Sequence, residues 1–290
     1  MEFFYENQWG TIHFKGGSRA HGAGIYVKAV TGLGMPGKEY QIASYVNRPG
    51  QEVISARDLE RVITLSVDVC SRHNVQEEVR CMTSVLYHPG TLTILSGTVH
   101  RKIACRCSGM EPPEYQGKHI VSVILQLTCD NPYFTDDMPH KVTLFARRDL
   151  VSGTFTLPCV FTERTTRKTV TNQGDVSVEP VVTIYNTGSA AVESELTDDY
   201  GIYVVNHTTN KTLTLLYHTV PGEIITLDIP SRSVTSNLNG NLIASLTLDS
   251  FLSDFCLETG TSDIEVIRHN PSEEINVLLT YDQQYIEAVV

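Results

Sequence analysis

The sequence lacks the residue spacings on which a metal site or a disulfide framework depends. Its seven cysteines form no CxxC pair and are odd in number, and none of its ten histidines stands at a metal-ligand spacing from a cysteine. The cysteines are Cys70, Cys81, Cys105, Cys107, Cys129, Cys159 and Cys256. We therefore expect no bound metal, no cofactor and folding in a reducing cytoplasm.

Catalytic motifs are missing as well. The chain has no GxSxG elbow, no HExxH, no GxxxxGKS/T phosphate loop and no GxGxxG that opens a helix. KGGSRAHGAG, residues 15–24, has glycines but no apolar helix after them, so we interpret it as a flexible loop or hairpin tip. Asp136–Asp137 and Asp198–Asp199 are adjacent carboxylates that would point to opposite faces of a strand, and we interpret them as solvated turn residues. The sequence thus predicts that the protein is not an enzyme and offers no catalytic, cofactor-binding or metal-binding residue.

Positive charge is scarce. The chain has 22 Lys and Arg against 33 Asp and Glu, a formal net charge of -11, and its basic residues form no stripe. Proteins that hold nucleic acid by its phosphates need clustered Lys and Arg. We therefore expect that DNA near this protein would pass without specific binding.

Long apolar runs are missing too. None reaches the roughly 18 uncharged residues that cross a bilayer. The first twenty residues contain acidic side chains and a tryptophan where an export signal needs a basic start and an unbroken apolar segment. We expect no membrane insertion and no export signal.

What the sequence does contain is a period of two residues, which is typical of strands with one buried face. RVITLSVDVC, residues 61–70, alternates apolar and polar side chains, and HIVSVILQLTC, residues 119–129, is apolar on both faces like a central strand. One helix is predicted at about residues 75–88, with Asn74 as its N-cap. Residues 1–145 are therefore predicted to form a β-barrel-like domain with one α-helix.

After residue 150 the helical pattern disappears, and short strand-like runs recur between turn sequences. Asn239-Gly240 is the strongest hairpin signal among these turns. This pattern predicts a β-sandwich over residues 150–290 and makes the whole protein mainly β. In the first domain, the segment 27–53 is rich in Gly and Pro and is interpreted as a long loop or an extended hairpin arm.

The stretch LTCDNPYFTDD, residues 127–137, is predicted to end the first domain. Pro132 cannot continue a ladder in the middle of a sheet, and it pushes Asn131 toward an extended conformation. Tyr133 and Phe134 are then placed to fold over the end of the core.

Several stretches in order along nearly the whole chain resemble the distal tail protein family of long-tailed (siphovirus-like) bacteriophages and phage tail-like bacteriocins. They are RPGQEVISARDLERVITLSVDV (Arg48 to Val69), LTCDNPYF (Leu127 to Phe134), GDVSVEPVVTIYNTG (Gly174 to Gly188), PGEIITLDIPSRSVTSNLNGN (Pro221 to Asn241) and SFLSDFCLETGTSDIEVI (Ser250 to Ile267). In that family a glycine-containing turn precedes an Arg-hydrophobic-Thr-Leu strand, and another apolar strand closes with Asp-Pro-Tyr or Asn-Pro-Tyr.

The resemblance implies a structural role. It predicts a hexameric ring at the distal end of the tail tube, in a virion whose proteins are made in the bacterial cytoplasm. The first domain would close the ring around a channel for DNA, and a galectin-like β-sandwich would face outward, its last strand returning to the first domain. The ring would join the tube protein to the tail tip or baseplate and anchor the tail-associated hub or lysin protein and the receptor-binding protein. Segment 27–53 would suit contacts with an adjacent ring.

The alternative is a carbohydrate-binding tail adhesin that acts through the galectin-like domain. Aromatic side chains that could stack on a sugar are needed for this function. The only tryptophan, Trp9, lies outside the second domain. The remaining candidates are Tyr185, Tyr200, Tyr203, Tyr217, Tyr281 and Tyr285. We favour the interpretation that these tyrosines pack at strand edges.

Overall fold

The computed structural model describes residues 1–17, 22–46, 49–111, 113–116, 118–145, 147–149, 162–164, 167–188, 201–268 and 274–288. The chain divides into two compact units. The first comprises Met1–Asp137 together with the C-terminal residues from Tyr285, and the second comprises Met138–Gln284. Several residues named above lie outside the described residues, namely 18–21 of the predicted loop, Arg48, Cys159, Asp198, Asp199 and Tyr200.

The elements of the first unit are numbered along the chain. They are β1 (Glu2–Asn7), β2 (Gly10–Lys15), β3 (Gly24–Thr31), β4 (Lys38–Ala43), β5 (Glu52–Asp58), β6 (Arg61–Cys70), α1 (Val75–Leu86), β7 (Gly90–Ser96), β8 (Val99–Met110), β9 (Glu114–Tyr115), β10 (Ile120–Cys129) and β11 (Phe134–Thr135).

Seven strands of the first unit close into a barrel. They follow the order β8-β7-β1-β2-β3-β6-β10, and β10 pairs back onto β8. Neighbouring strands are antiparallel except β2 and β3, which are parallel. The inward side chains of β6 that the period of two predicts are all buried, namely Ile63, Leu65, Val67 and Val69. The barrel-like fold with one helix that the sequence predicts for the first part of the chain is confirmed.

The helix α1 begins where the sequence predicts. Asn74 is its N-cap, with an extended backbone and a side chain that accepts a hydrogen bond from the Gln76 N–H at 3.0 Å. Its buried face consists of Val75, Val79, Met82 and Leu86, which pack into the barrel core. The helix ends at Leu86, two residues before the predicted end, because Pro89 follows closely. No other α-helix occurs among the described residues.

In the described residues of the second unit the elements are strands, apart from two short 3-10 turns at Ile243–Ser245 and Leu252–Asp254. The strands are β12 (His140–Phe145), β13 (Arg147–Asp149), β14 (Thr162–Arg164), β15 (Arg167–Asn172), β16 (Val181–Asn186), β17 (Ile202–Asn206), β18 (Lys211–Leu215), β19 (Ile224–Asp228), β20 (Ser233–Ser236), β21 (Gly240–Asn241), β22 (Gly260–Arg268), β23 (Ile275–Tyr281) and β24 (Gln284–Tyr285), within which the unit boundary falls.

Two antiparallel sheets of the second unit share one core. One has the order β12-β23-β16-β19-β20-β21 and the other has the order β15-β22-β17-β18. Side chains from both fill the space between them, such as Val182 and Ile184 from the first sheet and Ile264 and Val266 from the second. The hairpin predicted at Asn239-Gly240 is present between β20 and β21, with Gly240 at φ +70°. A mainly β protein is confirmed.

None of the helices in the described part of the chain is long and apolar enough to cross a membrane.

Candidate interaction arm and its root

The strands β4 and β5 pair with each other in a separate two-stranded sheet that joins no other described strand. We call residues 38–58 the arm. The sequence predicts a long loop or a hairpin arm at 27–53, and the structure shows that an arm forms but begins later. Residues 27–31 continue β3 inside the barrel, where they pair with β6.

The arm has one apolar face and one polar face. Tyr40 lies opposite Ala56 and Ile42 lies opposite Val53, and Tyr40 and Ile42 share a face because side chains two residues apart point the same way. Ile54 is the extra residue at the register shift between these pairs. The opposite face carries two polar cross-strand pairs. Arg57 binds Glu39 at 2.5 Å, and the Ser55 hydroxyl donates to the Gln41 amide oxygen at 3.0 Å.

The apolar face is open to solvent. Tyr40 and Ile42 are each 53% exposed and Ile54 is 66% exposed, while Val46 near the tip is 91% exposed. A two-stranded hairpin is marginally stable alone in water, and exposed apolar patches mark interaction surfaces. The arm is therefore the candidate interaction site of the first unit.

The arm is connected to the barrel by residues 32–37 and 58–61, which we call the root. The chain approaches itself closely there. Gly32 has φ +88°, and a Cβ atom there would lie 2.1 Å from the Val62 carbonyl oxygen, so only glycine fits. Farther along, the Leu59 N–H donates to the Gly37 carbonyl at 2.8 Å. Asp58, the last residue of β5, accepts a hydrogen bond from the Tyr133 hydroxyl, and burial with this bond raises the pKa of Tyr133 to about 12.

Arg61 is the centre of the root. It is the first residue of β6, it is buried, and its guanidinium donates only to backbone carbonyls. Nε donates to Pro132 at 2.6 Å, Nη1 to Gly32 at 2.7 Å and also to Gly34, and Nη2 to Ile286 at 2.7 Å. Burial lowers the pKa of Arg61 from its ordinary value. One cation thus joins the chain that leads into the arm, the NPYF turn and the C-terminal segment.

The C-terminal segment from Tyr285 is fixed beside this root. The Tyr285 ring lies 3.4 Å from the Arg101 guanidinium carbon, and its hydroxyl donates to Asp136 at 3.1 Å. Ala288 is buried in the barrel core, and its N–H donates to the Leu33 carbonyl at 3.0 Å. The protein therefore closes its first unit with residues from both ends of the chain.

The interpretation of the NPYF stretch is right in one part and wrong in another. Phe134 is fully buried in the barrel core, as predicted, and its ring lies 4.5 Å from the Arg61 guanidinium carbon. Asp136 is not a solvated turn residue, because it is largely shielded and forms an ion pair with Arg101. Asp137 is half exposed and binds Lys102 at 2.5 Å.

The described candidate tyrosines of the second domain do not form a shared platform. Tyr281 is buried and donates to the Thr171 carbonyl at 2.7 Å. Tyr185 and Tyr203 are half-buried on separate sheets, on β16 and β17. Tyr217 donates to Glu223 at 2.9 Å. Tyr285 belongs to the first unit.

Glu223 anchors a buried polar cluster in the sandwich. Burial alone would raise its pKa, but hydrogen bonds outweigh burial and lower it. The donors are the Ser236 hydroxyl, the Val220 N–H at 3.0 Å, the Tyr217 hydroxyl and the Asn239 amide at 3.1 Å. The ionised carboxylate is thus the form that this cluster stabilises.

We expect the sandwich to lose stability in acid through Glu223. A lowered pKa means that its contribution is present above about pH 4.3, the ordinary glutamate value, and is lost as the pH falls through the folded-state pKa. The loss in urea midpoint between pH 6 and pH 3 should therefore be smaller in Glu223→Gln than in the wild type. Equal losses in both proteins would contradict this expectation. Glu258→Gln, at an exposed position, is the matched control.

A surface cleft of about 380 Å³ in the second unit was not apparent in the sequence. It is lined by Asn210, Lys211, Thr212, Thr214, Asp249, Ser250, Phe251 and Asp254. Phe251 is 61% exposed, and beside it Lys211 binds Asp254 at 2.9 Å. An exposed ring beside charged and polar groups is an arrangement that can stack on a sugar and hydrogen-bond its hydroxyls. The described residues contain no group of three His, Cys, Asp or Glu that could hold a metal ion.

No family model and no curated protein matches the chain. A solved structure does: the Dit (gp 19.1) protein of SPP1, described as a paradigm of hub adsorption apparatus in Gram-positive-infecting phages. The match covers 90% of this chain and 93% of that one, with a TM-score of 0.62 and 14% identity. The chain has the fold of a phage Dit protein.

Two further matches have lower scores. The phage P2 baseplate in its activated conformation with Ca matches with a TM-score of 0.48 and 9% identity, over 96% of this chain and 97% of that one. The baseplate structure with Sr matches with a TM-score of 0.47 and 10% identity, over the same shares. Because the SPP1 match covers nine-tenths of the chain, the Dit fold includes both the barrel and the sandwich.

Proposed function

We propose that this protein is a structural distal tail protein, six copies of which form a ring that joins a phage tail tube to the tail tip or baseplate. The observation that carries the proposal is the Dit fold, which extends over both units. The ring would lie at the distal end of the tail in the virion, and its role would be assembly and not catalysis. It would anchor the hub and receptor-binding proteins there.

The two units would divide this work. The first, predicted as residues 1–145, would close the ring around a channel. The second, predicted as residues 150–290, would be a galectin-like sandwich that faces outward. The net charge of -11 supports a channel through which DNA passes without specific binding.

The arm would bind a second copy of this chain. A closed ring needs an interface in which one surface patch meets a different patch on the neighbouring copy. The sheet of the arm pairs with no other described strand, and its apolar side chains Tyr40, Ile42 and Ile54 are exposed. Burial of that face against another copy would remove apolar side chains from water and complete a hairpin that is weak alone.

The test places charge on either face of the arm. In the full-length protein we expect six-fold rings in negative stain and a hexamer by light scattering. Ile42→Asp with Ile54→Asp should weaken assembly at least about tenfold, because central apolar side chains of an interface contribute about 2 kcal/mol each. Gln41→Asp changes the polar face of the same sheet while keeping an acceptor for the Ser55 hydroxyl, and this variant should still assemble.

Each outcome of this experiment decides one claim. A wild-type protein that stays monomeric at high concentration overturns the ring. Rings that persist after charge is placed on the apolar face leave the ring intact but overturn the role of the arm. Circular dichroism spectra that match the wild type establish that the variants are folded.

A second candidate function is glycan binding by the sandwich, and the Phe251 cleft favours it. The probe is a panel of neutral hexose and N-acetylhexosamine oligosaccharides, since one lysine and two aspartates in the cleft disfavour anionic sugars. If this function holds, Phe251→Ala should weaken binding by roughly three- to tenfold, the value of an aromatic contact. Leu248→Ala, an exposed residue that does not line the cleft, is the control. No binding to any member of the panel would exclude the candidate.

A further inference from the structure

Two cysteines face each other across the seam where the barrel closes. β10 pairs with β8 in a register that sets Thr128 opposite Arg106, and one further step sets Cys129 opposite Cys105. Both cysteines are free and both are buried. The two thiols lie close enough that each is the main cause of the shift in the pKa of the other.

The geometry of this pair suits a disulfide. Directly opposed residues of antiparallel strands have Cα atoms about 4.5–5.5 Å apart, and disulfides span Cα separations of about 4.4–6.8 Å. Cys107 lies two residues from Cys105 on the same strand, which puts it diagonal to Cys129 at about 7–8 Å. Its thiol donates to the Gly109 carbonyl at 3.5 Å instead. Among the described cysteines of the seam, the register therefore selects Cys105 and Cys129.

A small oxidant can approach the pair from the surface. Cys105 lines a surface cleft of about 300 Å³, together with Pro89, Gly90, Ala104, Arg106, Asp130 and Asn131. Cys129 itself does not line the cleft, but the two residues that directly follow it, Asp130 and Asn131, do, so an oxidant reaches the pair from the Cys105 side. A molecule the size of hydrogen peroxide fits such a cleft, whereas a protein oxidant does not.

The two thiols differ in acidity. The hydrogen bond from Cys105 and the neighbouring Arg61 guanidinium lower the pKa of Cys129. The hydrogen bond to Cys129 and burial raise the pKa of Cys105. Because the thiolate is the reactive form of cysteine, the lowered pKa favours Cys129 as the nucleophile of the pair.

We propose that Cys105 and Cys129 are an oxidative modification site, at which a hydroperoxide converts the two thiols to a disulfide that closes the barrel seam covalently. The Cys129 sulfur attacks one peroxide oxygen and the O–O bond breaks. The products are water and a sulfenic acid on Cys129. The Cys105 sulfur then attacks the Cys129 sulfur, the S–O bond breaks, and the hydroxyl leaves as water with the Cys105 proton. Two thiols and one hydrogen peroxide thus give one disulfide and two waters. The site does not depend on the proposed tail function.

The test uses the full-length protein, reduced, freed of reductant and then treated with hydrogen peroxide. The protein is then unfolded in an alkylating agent and digested without reductant. Mass spectrometry should find the Cys105 and Cys129 peptides linked, with a mass two hydrogens lower than the sum of the two reduced peptides. Cys107→Ala should give the same link. Oxidation should raise the Tm of the first unit, followed by Trp9 fluorescence, and dithiothreitol should reverse the rise.

Other results overturn the proposal. They are alkylation of both thiols after peroxide treatment, a sulfinic acid on either thiol without a link, a link of either thiol to Cys107, and a Tm that does not rise. Oxidation of Cys129→Ala should leave its Tm unchanged. If that variant does not fold, Cys105→Ala is the equivalent control, because loss of either thiol prevents the link.

Discussion

Replacement of Arg61 by alanine is expected to lower the free energy of unfolding of the first unit by about 3–5 kcal/mol. Four carbonyls would lose this donor, and those of Pro132 and Ile286 lie 71 and 225 positions away along the chain. Since domains are stable by only about 5–15 kcal/mol, the loss is a large share of the total. Urea unfolding followed by Trp9 fluorescence measures it, because Trp9 is the only tryptophan and lies in the first unit.

Two variants separate the role of Arg61 from the loss of any arginine. Arg57→Ala removes an exposed arginine of the arm that forms an ion pair with Glu39. This change should lower the free energy of unfolding by at most about 1 kcal/mol. Arg61→Lys keeps the charge but not the planar fork that reaches separate carbonyls, so its cost should be intermediate. A loss below about 1 kcal/mol in Arg61→Ala would show that the root does not depend on this side chain.

Truncation after Gln284 is the second large effect, with an expected cost of about 3 kcal/mol or more to the first unit. The truncation removes the Tyr285 ring from Arg101, the Ile286 carbonyl from Arg61 and the buried Ala288 from the core. Trp9 fluorescence again reports the unfolding of the first unit. Truncation after Ala288 controls for a shortened chain and should keep the wild-type midpoint.

The two changes should not add. Arg61 and the C-terminal segment share the hydrogen bond from Nη2 to Ile286, so once one partner is gone the removal of the other costs less. We therefore expect the truncated Arg61→Ala protein to be more stable than the sum of the single losses predicts. Simple addition of the two losses would mean that the guanidinium and the segment stabilise the root independently.

The strands and faces of the barrel could be predicted because they depend on local alternation. The apolar positions of 61–70 are buried in β6, and the run 119–129 becomes β10 with neighbours on both sides. The cap of α1 was predictable for the same reason, since Asn74 acts on the N–H two residues away. Such features need only neighbours in sequence.

The root could not be predicted from the sequence. Arg61 reads as the first residue of a strand, and its partners are backbone carbonyls at 32, 34, 132 and 286 that any residue would carry. Asp136 resembles a solvated turn residue because its partners, Arg101 and Tyr285, lie 35 and 149 positions away. The Gly and Pro content of 27–53 indicated an arm but not its start, which is set by the pairing of β3 with β6.

The chain crosses between its two units twice, and this connectivity matters for protein engineering. The chain leaves the first unit after Asp137 and re-enters it at Tyr285, and the Tyr285 hydroxyl bonds to Asp136. In topological terms the second unit is an insertion whose two junctions are neighbours in space. We therefore expect that a different domain with closely spaced termini can replace the second unit, with junctions after Asp137 and before β24, while the seven barrel strands stay intact.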